Sequence, residues 1–337
     1  HTEEISYEEM VEILAAINLL PKVSGTPAGL IYLSEGDYTI GAAIDFALKQ
    51  VNLVGNGVES TRLALKNSAN VDMITVGDGS TVISGGSIKN LSLQGNKGNN
   101  TTGNGITLNG IDTFTIENCL IANFAENGIN LTGTVTRATV RTFIHSCLIS
   151  NNNTHGIKAG AYGGNNYIEQ CAIHSNGAFA DSDAGISTTG AEGLIIGCDI
   201  FNNGRYGVRV FSGSDNSIVG CRLTGNNGEA IALDGGSHNN MVLANTFQNN
   251  CAQANNTYDV ISMNDTNNVI MSNIIRATAA NKHRYSIGET TGANNNVFAF
   301  NNLQNAVTGE INIVGAATIV RHNKGFVTEN NGTATIT

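Results

Sequence analysis

The sequence predicts an all-β solenoid, a single-stranded parallel β-helix of about ten or more coils with an N-terminal α-helical cap. Three observations carry this. A short strand frame returns every 22 to 28 residues, as from Asn301 to Asn323 and from Cys119 to Cys147. An asparagine-rich turn follows each frame. A further strand, opening with a small residue and Ile or Val, follows each turn. A wandering period around a fixed frame suits a solenoid whose loops vary while its strands do not.

Taken in chain order, ISYEEMVEILAAINLL (5–20) sets Tyr7, Met10, Val11, Leu14 and Ile17 at helical spacing. It is expected to cover the first coil, because an open coil end exposes unpaired edge groups and apolar core. Residues 1–28 thus form a capping segment, 29–326 the β-helix and 327–337 a Thr-rich tail that resembles a strand leading into a further domain. GLIYLSEGDYTI (29–40) and VNLVGNG (51–57) read as first-coil strands joined by a short helix, AAIDFALK (42–49).

The frame itself runs through SIKNLSL (87–93), TIENCLI (115–121), FIHSCLI (143–149), YIEQCAI (167–173), LIIGCDI (194–200) and SIVGCRL (217–223). It continues in MVLANTF (241–247), VIMSNII (269–275), VFAFNNL (297–303) and TIVRHNK (318–324). Its central column is Leu91, Cys119, Cys147, Cys171, Cys198, Cys221, Asn245, Asn273, Asn301 and Asn323. An apolar residue lies three positions before the column, as at Ile116, and another two after it, as at Ile121. The period-2 alternation slips by one just before the column, which reads as a corner between two strands. Asn suits the next turn because it tolerates the left-handed conformation and bonds to nearby backbone. The third strand reads GITL (105), GINL (128), GIKA (156), GIST (185), GVRV (207) and AIAL (230).

Stacked coils repeat about every 4.8 Å, so inward columns become ladders of like side chains. Column cysteines have parallel Cβ directions that fit a disulfide badly, so buried free thiols are expected. Cys251 lies outside the column and is expected half-buried in a loop. No CxxC clustering suggests zinc.

Composition narrows the function. The 337 residues carry 17 Lys and Arg against 27 Asp and Glu, a net charge of -10, and only 13% are charged against about 25% in ordinary chains. Such a chain has no basic footprint for a nucleic acid. No run approaches about 18 apolar residues, so no membrane span is expected, and no secretory signal opens the chain as given.

The opening GLIYLSEGDYTI, the VNLVGNG after it and the recurrent frame resemble the pectate-lyase-like right-handed parallel β-helix superfamily over roughly residues 29–326. Ser34 stands where that opening usually has Pro. The resemblance implies the fold and a polysaccharide partner, with an extracellular or virion-associated setting. It supplies no catalytic motif, since one scaffold hosts many chemistries.

Chemistry is therefore sought among outward residues of consecutive coils near the third strand. One coil offers His155 and Lys158, the next Asp181 and Asp183, the next Arg205, Tyr206 and Arg209, and the next Glu229 and Asp234. Charge is scarce here, so clustering carries information. Lys158 and Arg209 follow Ile157 and Val208 and are expected to point outward. The patch suits an anionic polysaccharide cleaved by β-elimination: Lys158 or Arg209 neutralises the uronate carboxylate, His155 or Lys158 acts as base and Tyr206 as acid. Asp181, Asp183, Arg205, Glu229 and Asp234 would contact substrate.

The same residues also fit plain solvated cross-strand pairs. A glycoside hydrolase using two of Asp181, Asp183, Glu229 and Asp234 is an alternative, as is a uronan epimerase. Asp181, Asp183 and Asp199 are the candidates for a Ca²⁺ site, and no other cofactor or metal is implied. A second ladder, Glu117, His145 and Glu169 with Asp199 and Arg222, fits an exposed charge-alternating face. His174, His238, His283 and His322 are expected at the surface. A non-catalytic carbohydrate-binding protein or a phage tail or adhesin segment, with a homotrimer as the expected assembly, is the other class of reading.

Overall fold

The computed structural model describes residues 22–23, 26–46, 50–81, 83–178 and 183–326. The chain divides into two compact units, 1–172 and 173–337. Each is a stack of parallel coils built from three sheets, and no helix occurs among the described residues.

In the first unit the first sheet includes Thr26–Tyr32, Gln50–Val54, Ser87–Lys89, Ile111–Glu117, Val140–His145 and Tyr167–Glu169. The second runs from Gly36–Ile40 through Thr61–Leu65, Ser92–Gln94 and Leu120–Ala122 to Leu148–Ser150, and the third from Ile44–Asp45 through Ile74–Val76, Ile106–Asn109 and Ile129–Thr132 to His155–Ala159. The second unit repeats the scheme. Its third sheet stacks Ala184–Thr188, Tyr206–Phe211, Ile231–Asp234, Ile261–Met263, Tyr285–Glu289 and Gly309–Asn312. Among the described residues pairing is parallel, apart from the antiparallel contact of Lys22–Val23 with Thr26–Pro27 and an isolated antiparallel bridge between Thr134 and Arg137.

The core follows the sequence frame. Ile116, Ile144 and Ile168 before the column and Ile121 and Ile149 after it are buried, and so are Ile218, Val242, Ile270 and Phe298 in the second unit. Many corners turn on one left-handed residue. Before the column these include Asn118 (φ 49°), Ser146 (φ 55°), Ala244 (φ 55°) and Phe300 (φ 57°). After the second strand they are mostly Asn, as at Asn123, Asn151, Asn202 and Asn249.

The column changes chemistry along the chain. The Cys119, Cys147 and Cys171 thiols donate to the carbonyls of Glu117, His145 and Glu169 at 3.2, 3.4 and 3.2 Å. All six cysteines are free and buried. From Asn245 onward an amide does both jobs. The Asn245 Nδ2 donates to Ile218 O (2.9 Å) and its Oδ1 accepts from Cys221 N (2.8 Å). Asn273, Asn301 and Asn323 continue the pattern. Two further buried ladders in the second unit, Asn176–Asn203–Asn226–Asn250 and Asn216–Asn240–Asn268–Asn296, serve the other two corners. An unpaired buried backbone group is costly, and these amides satisfy the corners that the sheets leave open.

Several expectations change. The capping segment 5–20 and the tail 327–337 lie outside the described residues. The expected helix over 42–49 is, at Ile44–Asp45, a strand paired with Ile74–Thr75, where Thr75 Oγ1 donates to Asp45 Oδ1 at 2.8 Å. Sheet pairing there overrides a helical apolar spacing. Cys251 is wholly buried rather than half-buried. His283 is also wholly buried, with its Nε2 3.0 Å from Ser286 Oγ. The ladder on the first sheet has the expected register, Glu117 to His145 to Glu169. Glu117 is bound by Lys89 at 2.6 Å, with His145 3.6 Å away.

Candidate functional site

Four charged residues of the second unit, Arg205, Arg209, Glu229 and Asp234, converge on its third sheet. In Tyr206–Phe211 alternation sends Val208 and Val210 inward, both fully buried, and Arg209 and Phe211 outward. Arg209 stands in register between Ser187 and Ala232, whose small side chains leave its guanidinium room to reach the next coil. There Nη2 donates to Asp234 Oδ2 at 3.0 Å, and Nε lies 3.3 Å from both carboxylate oxygens. Arg205, just before the strand, reaches Glu229 in the same way, with Nε to Oε2 at 3.2 Å and Nη2 to Oε1 at 3.4 Å. Two-pronged Arg–carboxylate contacts fix orientation as well as charge.

Tyr206 sits between the two arginines. Its ring packs on Ala184 and Ala232. The guanidinium carbons of Arg205 and Arg209 lie 5.2 and 5.1 Å from its centroid. Arg205 also stacks on Tyr258 at 5.2 Å, and Arg209 on Phe211 at 4.8 Å. The result is an alternating row, Tyr258, Arg205, Tyr206, Arg209, Phe211, within the range of cation–π attraction. Burial, and then the charge of Glu229, push the Tyr206 phenol above its ordinary value, while Arg205 and Arg209 pull the other way. The phenol therefore stays protonated at neutral pH. Its hydroxyl makes no hydrogen bond to the described residues.

A second arginine–tyrosine pair extends the face. Arg284 donates through Nε and Nη2 to the two oxygens of Asp259, each at 2.9 Å, and lies 5.4 Å from the Tyr285 centroid. The Asp259 side chain is 1% exposed, so this is a carboxylate neutralised in the wall of the sheet. A Cβ at Gly288 would come within 2.1 Å of Asp259 Oδ2, so only glycine fits beneath it. Cys251 is near these charges. Burial, then the charges of Glu229 and Asp259, hold its thiol well above its ordinary value.

Of the residues expected from sequence, Arg205, Tyr206, Arg209, Glu229 and Asp234 are brought together in this row. Asp183 is buried, and its Oδ2 accepts from Ala178 N at 2.8 Å, so its carboxylate holds a loop rather than standing on the outer face. Asp181 lies outside the described residues. His155 and Lys158 belong to the first unit, where both are on strand His155–Ala159: His155 is buried, and Lys158 points outward beside Asn130 without an ion pair to the described residues. Asp199 is bound by Arg222 on the second sheet. Among the described residues no group of three or more His, Cys, Asp or Glu converges as metal ligands do. Phe211, Tyr258, Asp259 and Arg284 were missed, although the Arg–Tyr dipeptide at 205–206 does recur at 284–285.

Comparison with known proteins agrees with this architecture. The family described as "Right handed beta helix region" matches residues 104–261. No curated protein matches the sequence. Among solved structures, the A-module of a mannuronan C-5 epimerase of Azotobacter vinelandii superposes with a TM-score of 0.72 at 17% identity, over 94% of this chain and 95% of that one. A DFA-IIIase of Arthrobacter chlorophenolicus A6 gives 0.65 at 15% identity, over 97% of this chain and 88% of the other. A tailspike protein of an Escherichia coli O157:H7 bacteriophage gives 0.62 at 17% identity, over 89% of this chain and 41% of its own length. With its repeat frame, three-sheet coils and these similarities, the chain has the right-handed parallel β-helix fold.

Proposed function

We propose that this carbohydrate-active β-helix protein cleaves an acidic polysaccharide by β-elimination on the third sheet of its second unit. The observation that carries the reading is the Tyr206 hydroxyl, unbonded to the described residues while its ring is clamped by two arginines that carboxylates hold in place. In the elimination a base takes the proton on the carbon bearing the uronate carboxylate. The electron pair forms the new double bond as the glycosidic C–O bond breaks, and an acid protonates the leaving oxygen. Tyr206, kept protonated by burial, is that acid. Arg209 contacts the uronate carboxylate through the nitrogen that Asp234 does not use, and Asp234 is the base the second unit offers. Arg205 and Glu229 hold the ring of Tyr206 and border the substrate.

A second reading is epimerisation, which starts with the same proton removal and returns a proton to the opposite face. It draws support from the match to the mannuronan epimerase module over nearly the full length of both chains. The tailspike likeness supports an extracellular or virion setting. Homotrimer formation is supported by exposed apolar side chains on the first sheet of the second unit, Ile196 and Met241 among them, and light scattering tests it.

The deciding experiment incubates the protein with alginate, pectate and glycosaminoglycans, with and without Ca²⁺. It follows the ultraviolet absorbance of unsaturated uronate, new reducing ends, and uronate stereochemistry by NMR. Absorbance that Tyr206→Phe abolishes supports elimination. Reducing ends without absorbance point to hydrolysis by Glu229 and Asp234, and inverted uronate without scission to epimerisation. Binding with no change in the polymer leaves a carbohydrate-binding protein.

A further inference from the structure

The second sheet of the first unit carries a recess that the third-sheet reading does not use. It measures about 420 Å³, within the usual range of small-ligand sites of about 300–1,000 Å³, and includes Arg62, Gln94, Asn96, Lys97 and Asn123 in its lining. Among the described residues no carboxylate lines it. In a chain with a net charge of -10, a recess holding two cations and no acid is an exception to the surrounding field. An adjoining recess of about 420 Å³ shares Arg62 and Gln94 and extends across the sheet toward Ser92, but Asp37 and Glu59 line it, so the cationic part of the groove is the recess around Lys97.

The groove edge is built in advance. Lys97 Nζ donates to Asn151 Oδ1 (3.2 Å), Asn151 Nδ2 to Asn123 Oδ1 (2.6 Å), Asn123 Nδ2 to Gln94 Oε1 (2.9 Å) and Gln94 Nε2 to Ser92 Oγ (3.1 Å). Such a chain polarises its members in one direction and rigidifies them. Lys97 heads it with an ammonium that has three donors, of which Asn151 takes one. Partial burial lowers the Lys97 pKa, and no carboxylate among the described residues offsets that cost. Arg62 meets Asp37 only at 3.6 Å, with both side chains more than half exposed, so its charge is free to turn toward a ligand.

We propose that this groove is a second glycan site, one that binds an acidic sugar residue through Lys97 and Arg62 while the amides of Gln94, Asn96 and Asn123 contact its hydroxyls. The choice of an acidic sugar rests on the acidic-polysaccharide reading above, but the site is separate from the third-sheet row and needs no turnover. Its role is to hold the polymer away from the reacting face, which raises the effective concentration of chain there.

The test is equilibrium binding of a uronate tetrasaccharide, its neutral counterpart and inorganic sulfate to the full chain, with hydrogen–deuterium exchange as a map. The Arg209→Ala variant removes the third-sheet contact. The expected result is that Arg209→Ala still binds the uronate, that Lys97→Met in that background weakens binding at least tenfold, and that exchange slows over residues 92–99 and 120–124. A tenfold loss corresponds to about 1.4 kcal/mol, in line with a hydrogen bond to a charged group. If Lys97→Met melts early, Arg62→Gln and the exchange map in the otherwise unchanged protein carry the test. Protection confined to residues 205–234 overturns the second site and leaves the third-sheet reading intact. Sulfate binding as tightly as the uronate overturns sugar recognition. Absence of uronate binding in every variant overturns the site, and turnover of polymer by the unsubstituted protein would show that the third-sheet reading survives without it.

Discussion

Asn273→Ala removes one rung of the asparagine ladder, and its cost can be worked from the bonds it breaks. Asn273 is wholly buried. Its Oδ1 accepts from Asn245 N (2.9 Å) and Asn245 Nδ2 (3.1 Å), and its Nδ2 donates to Val242 O (2.9 Å). Alanine leaves the Asn245 N–H and the Val242 carbonyl buried without these partners. Asn245 Nδ2 keeps Ile218 O. Each orphaned buried group costs about 1–3 kcal/mol, so two cost about 2–6 kcal/mol, a large part of a domain's usual margin of about 5–15 kcal/mol. Asn273→Cys reproduces the coils upstream. Its thiol donates to a carbonyl, as Cys221 does to Val219 O at 3.4 Å, but accepts weakly, so about half the loss is expected. Urea unfolding followed by circular dichroism gives the total. Exchange of the Asn245 amide gives the local effect, which matters because solenoids unfold by neighbouring repeats. A loss for Asn273→Ala below about 1 kcal/mol, or one no larger than for Asn273→Cys, would refute the claim that the amide ladder holds this corner.

Tyr206→Phe deletes one oxygen and leaves the stacked ring, so kcat should fall by about 10²–10⁴ with KM little changed, as steady-state kinetics will report. A raised KM with kcat retained would make Tyr206 a binding group instead. Burial, and then the Lys282 charge, lower the His283 pKa from 6.5 to about 4. The unfolded chain takes up this proton near 6.5, so the contribution is full above that pH and is lost as pH falls toward 4. The loss is of order 3 kcal/mol. His283→Gln should flatten that part of the urea midpoint against pH, and an unchanged slope would exclude His283 as its source. All six cysteines are buried, and neighbouring thiols first, with burial, push the column thiols Cys147 and Cys221 up. A thiol reagent should therefore label none of them in the native protein and all of them in denaturant.

The repeat, its inward columns and its corners were legible in the sequence, because a parallel stack gives equivalent positions equivalent surroundings in every coil. Ile116 and Ile144 are buried for the same local reason, and one frame describes both. Asn118 and Asn123 adopt left-handed corners that their chemistry permits unaided. Alternation alone fixed the outward direction of Arg209. Tertiary structure decided what repetition cannot encode. The row of Tyr258, Arg205, Tyr206, Arg209 and Phe211 depends on which long side chain crosses to which coil, and that is set by the room small neighbours such as Ala232 and Ser187 leave. Asp183 turned inward because a loop N–H needed an acceptor, Ile44–Asp45 became a strand because Ile74–Thr75 lay open beside it, and Lys97 gained its hydrogen-bonded setting only when Asn151, Asn123 and Gln94 were stacked into one chain of hydrogen bonds. Local periodicity specifies a coil, whereas the chemistry arises between coils, where distances depend on register and on side chains far apart in sequence.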